Sequence, residues 1–225
     1  MQAKITYLYL IFLLTFDSNN CKLIIKYWLT IEWRMDIMNS KTKEITLIGL
    51  MTAVTCIAGP LSLPLPFSPV PISLTNLAIY FSVYILGMRR GTISYLVYLL
   101  LGFVGLPVFS AFTSGPAKLF GPTGGYLIGF IFMALICGYC IDRWNGQTAM
   151  SLVGMLAGTA VMYIFGTVWL AYQMSKGSGQ NITAALPAAF AAGVLPFIVG
   201  DLAKMALALL VGSQVRIRVR KAALN

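Results

Sequence analysis

Two charges interrupt an otherwise apolar stretch near the end of the chain, FIVGDLAKMALALLVG from Phe197 to Gly212: Asp201 and Lys204. At spacing i and i+3 they share one helix face, close enough to pair. On a helix crossing a bilayer, each would cost about 2.5–3.5 kcal/mol if it faced lipid. They must therefore point inward or at each other. Ionisable residues inside spans mark functional sites by default, and a purely structural ion pair is the competing reading.

Helical rise places other polar groups at a similar depth. Arg216 belongs to a basic cluster that marks one interface, and Asp201 precedes it by about 22 Å and Lys204 by about 18 Å. Counting from Arg89 puts Asn76 about 20 Å deep, and counting from Arg143 puts Tyr126 about 25 Å deep. Different helices thus bring polar or aromatic groups to one layer, where Thr75 accompanies Asn76. Lys204 offers a cation to a carboxylate. Asp201 and Asn76 offer acceptors and donors to an amide or urea-like group, and Tyr126, Tyr163, Trp169 and Tyr172 offer flat walls. The chemistry suits a small amphipathic acid better than an ion.

Other motifs lose to plainer explanations. The chain has no histidine, so a histidine-based metal or acid/base site is excluded, and no cofactor is called for. Cys137 and Cys140 form C-x-x-C inside an apolar run without a second pair, which reads as packing. GPTGGY, from Gly121 to Tyr126, lacks the Gly-Lys-Ser/Thr ending of a phosphate loop, so the chain carries no ATPase of its own. An intramembrane enzyme would need a nucleophile or a second carboxylate at matching depth, and a channel would need a charge ring or filter repeat. A stand-alone secondary transporter using Asp201 and Lys204 as a proton-linked pair stays open, although the two halves show no convincing repeat.

The elements that must position these residues follow from composition. Hydrophobic residues make up 59% of the 225 positions and charged residues 10%, against about 45–50% apolar in soluble domains. A polytopic all-α membrane protein is expected. Apolar runs near Ile45 to Ala58, Leu74 to Met88, Gly91 to Leu106, Gly124 to Ile141, Ala149 to Ala171 and Ala184 to Gly212 predict six transmembrane helices. The net charge of +10 reflects basic loops rather than nucleic-acid binding. Lys41, Lys43, Arg89, Arg90, Arg143, Arg216, Arg218, Arg220 and Lys221 fall on one side, while the opposite connections hold only Lys118 and Lys176. Both termini are therefore expected in the cytoplasm of a multi-pass cell-membrane protein.

The outward connections, PLSLPLPFSPVPI and SGPAKLFGPTGGY, are rich in Pro and Gly. Irregular backbone at membrane depth needs protein or a watery cavity around it, so a capped pocket is expected there. Gly49 and Ala53 form a small-xxx-small face on the first span, which permits close helix contact. Residues 1–39 are set apart from the membrane domain at 40–225. Their short apolar run lacks a signal-peptide cleavage pattern, and the functional chain is expected to start near Met35 or Met38.

PVPISLTNL at Pro69 to Leu77, GLPVFS at Gly105 to Ser110, GPTGGYLIGF at Gly121 to Phe130 and D-x-x-K at Asp201 to Lys204 together resemble the BioY family, the biotin-binding subunits of energy-coupling factor transporters. The resemblance spans roughly Lys41 to Gly212, with four motifs in order. It implies a six-helix substrate-capture protein for biotin, working with a transmembrane coupling subunit and two ATPase subunits. Asp201 and Lys204 would take the D-x-x-K positions associated with biotin recognition, and the loop PVPISLTN would cap the site. Gly49 and Ala53 would face the coupling subunit. Many relatives have Gln-Thr where this chain has Thr75-Asn76.

Overall fold

Glycine and proline set the ends of the helices. The computed structural model describes residues 40–66, 68–179 and 181–223, so the segment expected before residue 40 lies outside the described residues. The chain divides after Ile45 into two compact units, and the site lies within Thr46–Asn225. Helix α1 (Ser40–Ala58) stops at Gly59-Pro60, and a β-hairpin follows, β1 (Ser62–Leu65) with β2 (Ser68–Ser73). Then come α2 (Thr75–Leu86), α3 (Met88–Val104), the short α4 (Pro116–Phe120), α5 (Gly124–Arg143), α6 (Thr148–Ser178), α7 (Ile182–Gly193) and α8 (Ile198–Ala223). A single 3-10 turn, Ser110–Phe112, lies between α3 and α4.

The described chain is mostly helical, with three helices, α5, α6 and α8, long and apolar enough to cross a membrane. Helix α6 has 31 residues and is about 46 Å long, well beyond a hydrocarbon core of about 30 Å. Two expectations are corrected. The apolar run from Ala184 to Gly212 is two helices, because the chain leaves helical geometry at Val194 to Phe197, where Pro196 lacks an N–H and restricts Leu195 before it. The connection from Leu61 to Ser73, expected to be irregular, pairs as an antiparallel hairpin with Ser62 opposite Ser73 and Leu63 opposite Ile72. Its register shifts between Leu63 and Leu65, around Pro64, which cannot donate to the ladder.

Helices α5 and α6 form the most extensive pair, joined by the short turn Trp144 to Gln147. Gly154 and Gly158, one turn apart on α6, let the backbones close: a Cβ at Gly154 would lie 2.5 Å from Cys140 Cβ, and one at Gly158 2.8 Å from Cys137 Sγ. Both cysteines are free thiols, and Cys137 donates to Gly154 O at 3.3 Å. The C-x-x-C motif is thus the counterface of a small-xxx-small stripe.

Between the helices the core is aromatic, with Tyr80, Tyr84, Tyr95, Tyr98 and Phe109 fully buried. Each tyrosine hydroxyl finds a partner, as apolar surroundings require: Tyr80 with Thr159, Tyr95 with Leu127 O, Tyr98 with Val108 O and Tyr84 with Gly146 O. Helix α2 packs against both α3 and α8. It turns into α3 at Gly87, whose φ of +84° favours glycine and where a Cβ would sit 2.8 Å from the Asp142 carboxylate. That carboxylate instead accepts the Met88 N–H at 2.7 Å, satisfying an orphan donor at the start of α3.

Candidate functional site

The break before α8 delivers Asp201 to the first turn of that helix, where the helix dipole favours a carboxylate. Three donors converge on it. Asn76 Nδ2 of α2 donates to Oδ1 at 2.7 Å, Lys204 Nζ donates to the same oxygen at 3.0 Å, and the Tyr163 hydroxyl of α6 donates to Oδ2 at 2.5 Å. Charge-assisted bonds of this kind are the strong ones. The lysine ammonium also donates to Ser73 O at 2.8 Å, so the last residue of the hairpin is tied to α8. One ion pair thereby joins α2, α6, α8 and β2.

This network stands beside a cleft of about 580 Å³, measured out to its open mouth. Lys204, Asn76, Thr75 and Tyr163 line it, with Ser73 and Thr123 adding hydroxyls. Tyr126, Phe130, Met162 and Phe197 supply much of its apolar surface. Asp201 is buried behind this wall, with 5% of its surface exposed, and is absent from the lining. It therefore acts on the cleft by fixing the three donors around it.

Loop chemistry holds the rim. Ser73 Oγ donates to Thr75 Oγ1 at 3.0 Å and accepts the Thr75 N–H at 3.3 Å. Ser68 Oγ donates to Ala192 O at 2.8 Å, fastening the other end of β2 to α7. Tyr126 donates to Gly193 O at 3.1 Å while its ring lies over Gly166, where a Cβ would come within 2.3 Å.

The residues singled out in the sequence thus divide into two groups. Asn76, Asp201, Lys204 and Tyr163 form one hydrogen-bonded unit, and Thr75 and Tyr126 line the same cleft. Trp169 and Tyr172, expected as further walls, are not among the lining residues. Trp169 instead donates to Gly121 O at 2.9 Å, and Tyr172 is exposed beneath Lys176, 4.8 Å from its ring centre. Sequence reasoning passed over Phe130, Met162 and Phe197. Phe130 lies one helical turn after Tyr126, a spacing that signals a shared face. The Ser73 carbonyl had no signal to find, since any residue supplies one.

Gly49 and Ala53 both lie exposed on α1, and a Cβ at Gly49 would meet nothing within 4 Å. The other side of the helix is engaged, with Thr52 buried and bonded to Ser94 Oγ at 3.1 Å. A small-residue face is therefore open along this part of α1 among the described residues.

Residues 32–221 match the model of the BioY family. The chain belongs to the BioY family. The match reaches a few residues into the segment set apart in the sequence. Among similar proteins, a probable biotin transporter BioY from Pyrococcus horikoshii is 36% identical over 176 residues, covering 78% of this chain and 98% of that one. The biotin transporter BioY of Thermotoga maritima is 32% identical over 174 residues, covering 77% and 96%. A crystal structure of the S-component for biotin from an ECF-type ABC transporter superposes with a TM-score of 0.68 at 30% identity, covering 80% of this chain and 94% of that one. The family match and the structural likeness each cover most of the chain.

Proposed function

We infer that this chain is the biotin-binding subunit of an ECF-type uptake transporter. The observation that carries the reading is the Asn76, Asp201, Lys204 and Tyr163 network at the wall of an aromatic cleft, in a chain whose relatives are named biotin transporters. Biotin joins a urea-like ring to an apolar tail ending in a carboxylate, and the cleft offers groups for both. Two N–H bonds of Lys204 hold Ser73 and Asp201, and the third is available to the ligand. Asn76 spends one amide hydrogen on Asp201 and retains the other. Phe130, Met162, Phe197 and the tyrosine rings would bury the apolar part.

In this reading the chain crosses the cell membrane six times, with both termini in the cytoplasm and the hairpin end facing outward. The hairpin, fastened through Ser68 and Ser73, caps the captured ligand. Energy comes from a separate transmembrane coupling subunit and two ATPase subunits, with Gly49 and Ala53 as the contact on α1. The support for that contact is the open small-residue face. Residues 40–225 make up the capture domain in this reading, and the family match begins a little earlier, at residue 32. A proton-linked secondary transporter is not favoured, because Asp201 is already closed off by three donors. Biotin uptake by cells expressing the chain with an energising module tests the reading. Uptake is expected to persist when the proton gradient is collapsed and ATP is maintained, and uptake that follows the gradient would contradict it.

A further inference from the structure

The far end of α8 carries a second ion pair that the proposed capture step does not use. Arg216 is 5% exposed although the sequence places it in a basic cluster. Its Nη1 donates to Tyr84 O of α2 at 3.0 Å and its Nη2 to Asp142 Oδ1 at the end of α5 at 3.1 Å. The guanidinium lies 6.0 Å from the centre of the Tyr84 ring. The other Asp142 oxygen caps α3 through Met88 N, so one arginine gathers α2, α3, α5 and α8. Its Nε has no acceptor among the described residues.

A buried guanidinium with an unpaired N–H is a poor source of net stability. What it does fix is register. Helices α2 and α8 run the same way and are packed together, with Gly212 against the Tyr84 ring, and side-chain hydrogen bonds join them at two places, Asn76 to Asp201 and Tyr84 to Arg216. From Asn76 to Tyr84 is about 12 Å along α2, and from Asp201 to Arg216 about 22 Å along α8. The mismatch of about 10 Å is bridged by the long arginine stem, directed back toward the N-terminus as helical side chains are, and by the Tyr84 carbonyl pointing down its own helix. Arg216 works as a gauge between the two helices that hold the cleft.

We propose that Arg216, held by Asp142, is a positioning residue for biotin capture: it sets the register of α8 against α2 that brings Asp201 and Lys204 to Asn76. The proposal rests on the function inferred above. Side chains remote from a ligand alter binding through such contacts by about two- to thirty-fold. Calorimetric titration of biotin into the full-length purified protein tests it. Arg216→Met is expected to weaken binding by about five-fold or more, and Arg216→Lys, which keeps the charge but loses the fork, to recover part of that loss. In an Asn76→Ala background the same Arg216→Met change is expected to cost about two-fold or less, because the contact it positions is already gone. A merely stabilising role would lower the melting temperature without this coupling.

Unchanged affinity in folded Arg216→Met protein overturns the proposal, and so do losses that multiply independently in the double variant. Should Arg216→Met fail to fold, Asp142→Asn decides: Asp142 is partly exposed, and asparagine still accepts Met88 N–H, so a loss of about three-fold or more is expected and unchanged affinity overturns it. Failure of the unsubstituted chain to bind biotin would instead overturn the functional reading.

Discussion

Lys204 has the most specific assignment in the cleft, since it is the cationic side chain in the lining and reaches Ser73, Asp201 and the open space together. Replacing it with methionine keeps the stem and removes a charge-assisted hydrogen bond worth about 1.5–3 kcal/mol. Biotin affinity is expected to fall about 10- to 100-fold by calorimetric titration. Tyr163→Phe keeps the ring and removes one donor from Asp201, so a smaller loss of about 3- to 10-fold is expected in the same titration. These residues were legible because a charge inside an apolar helix demands a partner, and helical rise put Asn76 at the matching depth. The burial of Arg216 was not legible in the same way. Its type and neighbours mark an interface, and only the fold supplies the Asp142 carboxylate that lets it be buried.

At the scale of elements, helix contacts divide into closed and open faces. Gly158→Val is expected to force α5 from α6, where a Cβ already falls 2.8 Å from Cys137 Sγ, and to cost about 1–3 kcal/mol. A lower melting temperature in detergent would register that cost. Gly49→Val meets no atom within 4 Å at its Cβ, so the melting temperature should hold while biotin uptake with the energising module is lost. The helices themselves were readable from apolar runs bounded by Gly and Pro. The split between α7 and α8 was not, because Pro196 sits in an unbroken apolar stretch and a proline there is compatible with either a kink or a stop. The hairpin was hidden because its prolines, Pro64, Pro66, Pro69 and Pro71, argue against strands one by one. Its pairing is anchored from elsewhere, by Lys204 and Ala192.

For the whole molecule, the asymmetry of Lys and Arg predicts the orientation. A fluorescent protein fused after Asn225 is expected to fold and fluoresce in the cytoplasm, while an alkaline phosphatase fused there should be inactive. The reverse pattern would invert the membrane placement and put the hairpin on the wrong side for capture from outside. The common depth of Asn76, Tyr126 and Lys204 was legible at this scale as well, and the structure brings these residues from different helices to one cleft. Titration of biotin into the purified, detergent-solubilised chain, with desthiobiotin and thiamine as controls, is the most direct test. Saturable, tight binding of biotin over both controls is predicted for the isolated protein. A folded, monodisperse sample that binds none of the three, or that prefers thiamine, would contradict the account.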